Sequence, residues 1–380
     1  MKYYSIFYIL ISSFVIACQS SNNKVHDNGI KPSGVKIIRY SALELDSIQL
    51  EQIPTSFSGK LSVIKNNLYF VDDRLCWVFK FSNSGKYVCK YIGQGKGPNE
   101  LPLKFVEFSS PTTDGGYFFI GPSWDCFHFD KNFKRIDDYE INWHSKHFGT
   151  PIQPDTTMMD GYSLAYYFGE IKIYNNKVYL PLLSLQPSFN PTIPSYSKQA
   201  RILALMDLEN GYVEKTFGRL SQLFTTKKNI APFSFAIFDL GPAEKILISY
   251  PPDSLIYVSD INFNISKIFG FEGRGIDKNY NTADSISEFI KNLQLQKKEK
   301  GYYRSVRFLP ERLLLFRSYQ KSGKAMNDGL QIYQSDTLIA DLDVPLGFNV
   351  EGYITPYFYS NAFIDEDKGV IKVYKFRLPS

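Results

Sequence analysis

One unit of apolar strands and polar turns recurs along the chain, and it constrains the fold more than any other feature. Its clearest copy reads NNLYFVDD, RLCWVFKF, SNSG and KYVCKYIGQGKG, and copies begin near residues 66, 115, 175, 244, 311 and 361. Val, Ile, Tyr and Phe fill the strands, whereas Gly, Asn, Asp and Ser occupy the turns. Repeats of this kind are typical of propeller blades, each a four-stranded sheet. The pattern predicts an all-β fold, a six-bladed β-propeller over residues 35–380, with five or seven blades as the alternatives.

The sixth unit is shorter than the others and lacks a strand. The segment from Val35 to Leu50 (VKIIRYSALELDSIQL) is long enough to supply it. Propellers of this kind usually close by pairing an N-terminal strand with the last blade, since closure removes exposed sheet edges. We therefore expect this segment to complete the ring.

A single segment has the pattern of a good helix, near residues 285–298. Ser285 and Glu288 fit a capping box, and Ile286, Phe289, Ile290 and Leu293 then mark one apolar face. The predicted amphipathic helix lies between the fourth and fifth units. It is interpreted either as a helix packed on the end of the propeller or as a lid or partner-docking element.

The N-terminus has the pattern of a secretory signal. Lys2 is followed by the short apolar run YYSIFYILISSFVIA, and Cys18 stands where this run stops. The run is shorter than the roughly 20 apolar residues that span a bilayer. Val15-Ile16-Ala17-Cys18 also resembles the bacterial lipobox, which implies cleavage before Cys18 and lipid attachment to it. Residues 1–17 are thus predicted to be a lipoprotein signal peptide.

Charge and cysteine content exclude several other classes of protein. The formal net charge is +5 and the basic residues are scattered, so no nucleic-acid footprint is present. The three remaining cysteines, Cys76, Cys89 and Cys126, form no C-x-x-C motif and give no support to a zinc-ribbon or redox site. We favour buried free thiols over a disulfide between Cys76 and Cys89.

The most specific motif is the loop Gly93-Gln94-Gly95-Lys96-Gly97-Pro98-Asn99-Glu100. No helix opens after its glycines, so it is not a dinucleotide fingerprint. We expect these glycines to allow positive φ between blades. Together with the lipobox and the strands before it, the loop resembles six-bladed propeller lipoproteins of Bacteroidetes known only as domain-of-unknown-function family 4221. The resemblance implies an NHL/TolB-like propeller and a membrane anchor, but no activity.

Residues 18–34 are polar and contain Ser, Asn, Gly and Pro32, a composition that cannot bury a core. They are predicted to be a flexible tether between the lipid on Cys18 and the propeller. No acidic cluster follows Cys18, whereas surface-exported lipoproteins of Bacteroidetes tend to carry one. We therefore expect an outer-membrane lipoprotein on the periplasmic side.

Two insertions, at about 144–170 and 185–199, are rich in Pro, Asn, Ser and aromatic residues. Such loops are often functional, and aromatic side chains among polar ones resemble a binding rim. The candidate ligand or partner rim consists of Trp143, His144, His147, Tyr162, Tyr166, Tyr167, Phe189 and Tyr196. His144 and His147 are not placed in a complete set of metal ligands, so no metal site and no cofactor is predicted.

No catalytic constellation is recognised, and no catalytic residue is assigned. The leading hypothesis is a lipid-anchored, non-catalytic envelope module that binds a partner protein, a glycan or a peptide through its loops. The alternatives are a carbohydrate-active hydrolase or lyase with a site at the central channel, or a structural part of an envelope complex. Converging His, Asp, Glu or Arg at the channel would favour the enzyme. An apolar or open channel with an aromatic rim would favour binding.

Overall fold

The computed structural model describes residues 29–143, 161–165 and 169–378. Within these ranges the strands form six sheets, and each sheet is one blade. The innermost strands of neighbouring blades lie side by side in a closed ring. The prediction of a six-bladed β-propeller is confirmed.

The first two blades are antiparallel meanders in which each strand pairs with the next. Buried Phe and Val side chains fill the space between sheets, as expected for strands rich in these residues. Blade one consists of β3 (Gly59–Ile64), β4 (Asn67–Asp72), β5 (Trp77–Ser82) and β6 (Tyr87–Tyr91). Blade two consists of β7 (Phe108–Pro111), β8 (Tyr117–Ile120), β9 (Asp125–Phe129) and β10 (Arg135–Glu140).

Blades three and four have the same strand order, and blade three has one additional strand. The inner edge of β13 pairs with two short strands in succession, β12 and β11. Blade three consists of β11 (Ser163–Leu164), β12 (Lys172–Tyr174), β13 (Lys177–Leu183), β14 (Leu203–Asp207) and β15 (Val213–Phe217). Blade four consists of β16 (Ile237–Leu240), β17 (Ile246–Ser249), β18 (Ile256–Ser259) and β19 (Ile265–Phe269).

The N-terminal segment contributes to two different blades. Blade five consists of β20 (Tyr302–Leu309), β21 (Leu314–Gln320), β22 (Asp328–Gln334), β23 (Thr337–Val344) and β1 (Val35–Tyr40). Blade six consists of β24 (Val350–Ile354), β25 (Tyr357–Asp365), β26 (Val370–Phe376) and β2 (Asp46–Gln49). The antiparallel pairing of β2 with β26 confirms that this segment completes the last blade.

The first half of the segment does not join the last blade, and there the prediction was wrong. β1 instead pairs in parallel with the outer edge of β23 in blade five. That edge would otherwise present unpaired backbone groups, which the passing chain satisfies. Ser33, within the predicted tether, donates its backbone N–H to Ile268 O at 2.7 Å.

The long connections emerge on one face, here called the insertion face. Because successive strands are antiparallel, connections between blades and those between the second and third strands of a blade share this end of the ring. They include residues 92–107, 184–202, 218–236 and 270–301. The helices α1 (Tyr196–Gln199), α2 (Leu223–Thr226) and α3 (Ile286–Glu299) lie in these connections, as does a 3-10 segment at Lys228–Phe233.

Helix α3 confirms the predicted helix and its cap. The Ser285 hydroxyl accepts from the backbone N–H of Glu288 at 3.2 Å. Phe289 and Leu293 are buried, and α3 packs on the 3-10 segment. Ile290 is exposed, however, and Gln296 takes its place on the buried face. The helix packs on its neighbours, which agrees with the first of the two interpretations.

The loop Gly93–Glu100 folds around its own glutamate. The Glu100 carboxylate accepts from the backbone N–H of Gly97 at 2.8 Å. A Cβ at Gly95 would lie 2.0 Å from that carboxylate, and this explains the glycine. Gly93, Gly95 and Gly97 have no positive φ, so the expected reason for them was wrong; Gly218 and Gly270, at equivalent positions, do.

One buried arginine links blades four and five. Arg317 on β21 is fully buried, and its guanidinium lies 3.3 Å from the centre of the Tyr303 ring. It donates to Ser249 Oγ at 3.0 Å, to Ser254 O at 2.7 Å and to the carbonyl of Asp253. The forked guanidinium of Arg317 therefore supplies hydrogen-bond donors to buried backbone carbonyls at the turn between β17 and β18.

The three cysteines of the described segments form no disulfide with one another. Cys76 and Cys126 are buried, and Cys89 is partly exposed. Burial raises the pKa of the Cys76 thiol to about 11, so it remains an unreactive thiol at neutral pH.

Candidate functional site

The innermost strands of the six blades enclose a central channel with a cavity of about 440 Å³. This volume lies within the roughly 300–1,000 Å³ range of small-molecule sites. All six blades contribute to its wall, including the uncharged Ser109 and Pro111 of β7 in blade two.

Six charged side chains from the other five blades converge in this channel, and they are here called the channel cluster. Its members are Lys60 (β3), Glu170 (just before β12), Lys172 (β12), Asp239 (β16), Arg307 (β20) and Glu351 (β24). Alternate residues of a strand share a face, so the buried neighbours Ile171 and Ile173 leave Glu170 and Lys172 on the channel side.

Four ion pairs connect the members from blades three to six. Lys172 Nζ lies 2.7 Å from Glu170 Oε2 and 3.3 Å from Asp239 Oδ1. Arg307 Nη2 lies 3.0 Å from Glu170 Oε2 and 2.8 Å from Glu351 Oε2. Both glutamates therefore contact the same guanidinium nitrogen, and Glu170 bridges the two cations.

Contacts behind the channel wall hold these side chains in place. The second oxygen of Asp239 accepts from the backbone N–H of Phe308 at 2.8 Å, next to Arg307. Arg304 lies three residues before Arg307 on β20. It donates to Asn349 Oδ1 at 3.2 Å and to Phe348 O at 2.9 Å. These bonds tie β20 to blade four on one side and to blade six on the other, which helps to hold Arg307 in place relative to Asp239 and Glu351.

The two glutamates have opposite electrostatic environments. Burial opposes ionisation of Glu170, yet the charges of Lys172, Arg307 and Lys60 outweigh it and hold the pKa of Glu170 well below its usual range. Burial raises the pKa of Glu351 to about 7, and the Glu170 carboxylate acts in the same direction against Arg307. One carboxyl is thus ionised while the other holds its proton up to neutral pH.

The members also differ in their exposure to solvent in the channel. The side chains of Lys172 and Asp239 are 8% and 9% exposed, whereas that of Glu170 is 46% exposed. Lys60 is exposed and has no carboxylate within ion-pair distance among the described residues; its nearest ring contact is Phe108, at 6.0 Å. Lys60 and Glu170 are therefore the members best able to contact a ligand.

The structure separates the residues of the predicted rim. Tyr162, Phe189 and Tyr196 are buried and pack together, with ring centroids 6.0 Å and 4.9 Å apart. The expectation that these three side chains form an exposed rim is corrected, because both insertions pack these rings into the large hydrophobic core of the propeller. Trp143 is half-buried against Trp124.

The remaining predicted residues, Cys18, His144, His147, Tyr166 and Tyr167, lie outside the described residues. In the part of the chain that the structure describes, no group of three or more His, Cys, Asp or Glu is arranged to hold a metal ion. The same part contains no helix both long and apolar enough to cross a membrane.

The channel cluster was missed in the sequence because its six charges come from five blades that are far apart in the chain. One signal was present: GEIKIY places two charges among buried isoleucines on a strand. By the criterion set out for the two hypotheses, the converging Asp, Glu and Arg side chains favour an enzyme with its site at the central channel. The channel is lined by charges and is not apolar.

Comparison with known proteins finds solved structures that share the fold of this chain. No family model and no curated protein matches the chain. It is similar to a solved member of domain-of-unknown-function family 4221 from Bacteroides vulgatus, with a TM-score of 0.62 and 14% identity over 91% of this chain and 98% of that chain. It is also similar to a Bacteroides fragilis protein named for its expected export, with a TM-score of 0.53 and 14% identity over 91% of this chain and 99% of that one.

The resemblance inferred from the Gly93–Glu100 loop is thus confirmed at the level of the fold. At 14% identity the likeness concerns the fold alone. The chemistry of the channel has to be argued from the residues of this chain.

Proposed function

We propose that this protein is a cell-envelope binding module that takes a small polar ligand into its central channel. The observation that carries the proposal is the channel cluster, in which charges from five blades line a cavity of about 440 Å³. Charges withdrawn from water are costly, and a ring built only for stability would be better served by apolar side chains. An exposed Glu170 and a Lys60 without a described carboxylate partner leave bonding capacity for a ligand.

Two lysines of blade three allow a matched test of this site. Lys172 contacts Glu170 and Asp239 in the channel, and Lys177 contacts Asp207 and Glu214 outside it. Thermal unfolding of Lys172→Met and Lys177→Met is measured with a panel of sugars, amino acids and short peptides. A channel ligand at 100 times its Kd stabilises the wild type and Lys177→Met by about 2.7 kcal/mol and Lys172→Met far less.

Ser109→Leu supplies a second variant in case Lys172→Met does not fold. It narrows the cavity from blade two without removing a charge. Ligands that stabilise all variants equally would show that the site lies elsewhere. If no compound in the panel binds the wild type, the proposed function is wrong.

An enzyme, a carbohydrate-active hydrolase or lyase, is the second candidate, and one observation favours it. Glu170 and Glu351 contact the same nitrogen; the pKa of Glu170 lies well below its usual range, while burial raises the pKa of Glu351 to about 7. Such a pair can supply a nucleophile and an acid for cleavage of a glycosidic bond. Glu351 would protonate the leaving oxygen as the C–O bond breaks, and the Glu170 carboxylate would form a bond to the anomeric carbon. Water would then displace Glu170 from that carbon and return a proton to Glu351.

Turnover distinguishes the two candidates. If the protein is an enzyme, Glu351→Gln lowers kcat at least 100-fold on the polysaccharide that the wild type cleaves, while ligand binding is retained. A wild-type protein that binds its ligand without converting it is a binding module only.

The membrane anchor is part of the proposal. It rests on the lipobox at Cys18 and on the fold shared with a protein named for its expected export. We place the protein at the outer membrane on the periplasmic side, with a partner protein or glycan as a further ligand of the insertion face. Cys18→Ser should release the protein from membranes; a variant that stays in the pellet after high salt would contradict the anchor.

A further inference from the structure

Lys60 is the one cation of the channel cluster without an ion pair to the described carboxylates. Lys172 and Arg307 each contact two acidic side chains, but Lys60 extends from β3 into the cavity near the Phe108 ring. A primary ammonium group donates three hydrogen bonds and favours a carboxylate partner. Blade one therefore presents an anion-binding group to the channel.

Glu170 presents the opposite kind of group. Its Oε2 accepts from Lys172 and Arg307, yet the side chain remains 46% exposed to the channel. An ionised carboxylate has about four lone-pair sites and donates nothing, so its free sites suit hydroxyl donors. A hydroxyl group of a ligand can bond there without breaking either ion pair.

The charge balance of the cluster sets the charge of the ligand. Lys60, Lys172 and Arg307 face Glu170, Asp239 and Glu351. When Glu351 is protonated, two carboxylates remain against three cations, and one positive charge is in excess. A singly charged anion would balance this charge at Lys60, which is exposed to the channel and has no ion pair among the described carboxylates.

Resting on the proposed function, we propose that the channel ligand is a small monocarboxylate rich in hydroxyls, of the uronic-acid class, whose carboxylate pairs with Lys60 and whose hydroxyls donate to Glu170. A fatty acid does not fit, because its alkyl chain would displace water from the charged side chains without offering hydrogen bonds in its place. A phosphate group does not fit either, because its charge of about −1.5 to −2 at pH 7 exceeds the one positive charge in excess, and Arg307 Nη2 already contacts two carboxylates.

The experiment is calorimetric titration of the full-length protein in detergent at pH 7 with D-glucuronate, D-galacturonate and D-glucose. Glucose has no carboxylate and is the matched ligand control. Lys60→Met removes the charge and keeps most of the aliphatic chain. Lys80→Met is the matched protein control, because Lys80 is also a strand lysine of blade one, with Tyr69 at 5.9 Å, but does not line the cavity.

We expect at least one uronate to bind, glucose to bind at least tenfold more weakly, and Lys60→Met to lose at least tenfold in uronate affinity while Lys80→Met is unchanged. Glucose binding as tightly as the uronates, with no effect of Lys60→Met, would overturn the acidic class. Failure of both uronates to bind at millimolar concentration would also overturn it. In either case the Lys172→Met and Lys177→Met comparison decides separately whether the channel binds any ligand.

Discussion

At the scale of single residues, surroundings decide what an identical side chain can do. Glu170 and Glu351 contact the same nitrogen of Arg307. Glu170 has a second cation, Lys172, at 2.7 Å and keeps its negative charge. Glu351 is 12% exposed with Arg307 as its only ion-pair partner in the described chain, so burial dominates and favours its neutral form. Two like charges this close are not both ionised easily.

The raised pKa of Glu351 predicts a specific pH dependence of stability. An unfolded glutamate releases its proton near its ordinary pKa of 4.5, whereas the folded protein keeps it to about 7. Folding therefore takes up a proton in this window, and the contribution of Glu351 is largest below pH 4.5 and is lost as the pH rises through 7. Glu351→Gln should gain stability relative to the wild type by about 2 kcal/mol between pH 5 and pH 8.

Urea unfolding at both pH values measures this difference. Glu366→Gln, at an exposed turn, is the control and should show a constant offset. A constant offset for Glu351→Gln as well would mean that Glu351 is ionised throughout, and the acid role in the channel would be wrong.

Arg317 gives a second prediction at this scale. Its fork reaches Ser249 Oγ and the carbonyls of Ser254 and Asp253 at once, which a lysine ammonium group cannot do. Arg317→Lys should lower the free energy of unfolding by about 2–4 kcal/mol, since buried carbonyls lose their donors. Arg312→Lys, at an exposed site, should cost less than about 1 kcal/mol in the same urea titration. Equal losses would contradict a special role for the buried fork.

At the scale of elements, the cap of a helix depends on residues close in the chain, whereas its buried face depends on the elements that pack against it. The N-cap of α3 is readable in the sequence because Ser285 and Glu288 are three residues apart. The buried face is not fully readable: Ile290 faces solvent at 48% exposure while Gln296 is buried. The position of the 3-10 segment at Lys228–Phe233 decides which side of α3 is covered.

The cap gives a prediction for the stability of α3. Ser285→Ala removes the acceptor for the Glu288 N–H and should cost about 1 kcal/mol. Ser287→Ala, inside the first turn, should change stability by less than about 0.5 kcal/mol. Amide hydrogen exchange around Phe289 reports the opening of the helix. Unchanged protection in Ser285→Ala would mean that packing alone holds the helix.

At the scale of the whole molecule, the ring is closed by a strand from the other end of the chain. β2 pairs with β26, and Leu50 just after it is 2% exposed in the core between blades six and one. β1 is exposed along most of its length and only extends blade five. The two N-terminal strands therefore differ in what they contribute to the closed propeller.

Two truncations test this difference. A chain that begins at Ser41 lacks β1 and should still unfold cooperatively. A chain that begins at Glu51 also lacks β2 and Leu50, which leaves blade six with an open edge, and its Tm should fall by more than about 10 °C. Differential scanning calorimetry compares the two. Equal losses would show that β1 is as necessary as β2 for closure.

The sequence by itself determined the features that depend on local chemistry and on repetition. Six strand units, the capped helix and a closing strand within the segment from Val35 to Leu50 follow from periodicity, turn residues and hydrogen-bonding side chains close in the chain. These signals are read within one blade or one turn, so distant residues do not alter them.

Only the tertiary structure decided the site and the fate of the aromatic insertions. Lys60 and Glu351 are nearly 300 residues apart in the chain, and their meeting depends on how six blades close into a ring. Tyr162, Phe189 and Tyr196 look like a binding rim in the sequence, but whether an aromatic side chain is covered depends on what folds over it. Burial and charge convergence are properties of the assembled ring, and a linear pattern does not contain them.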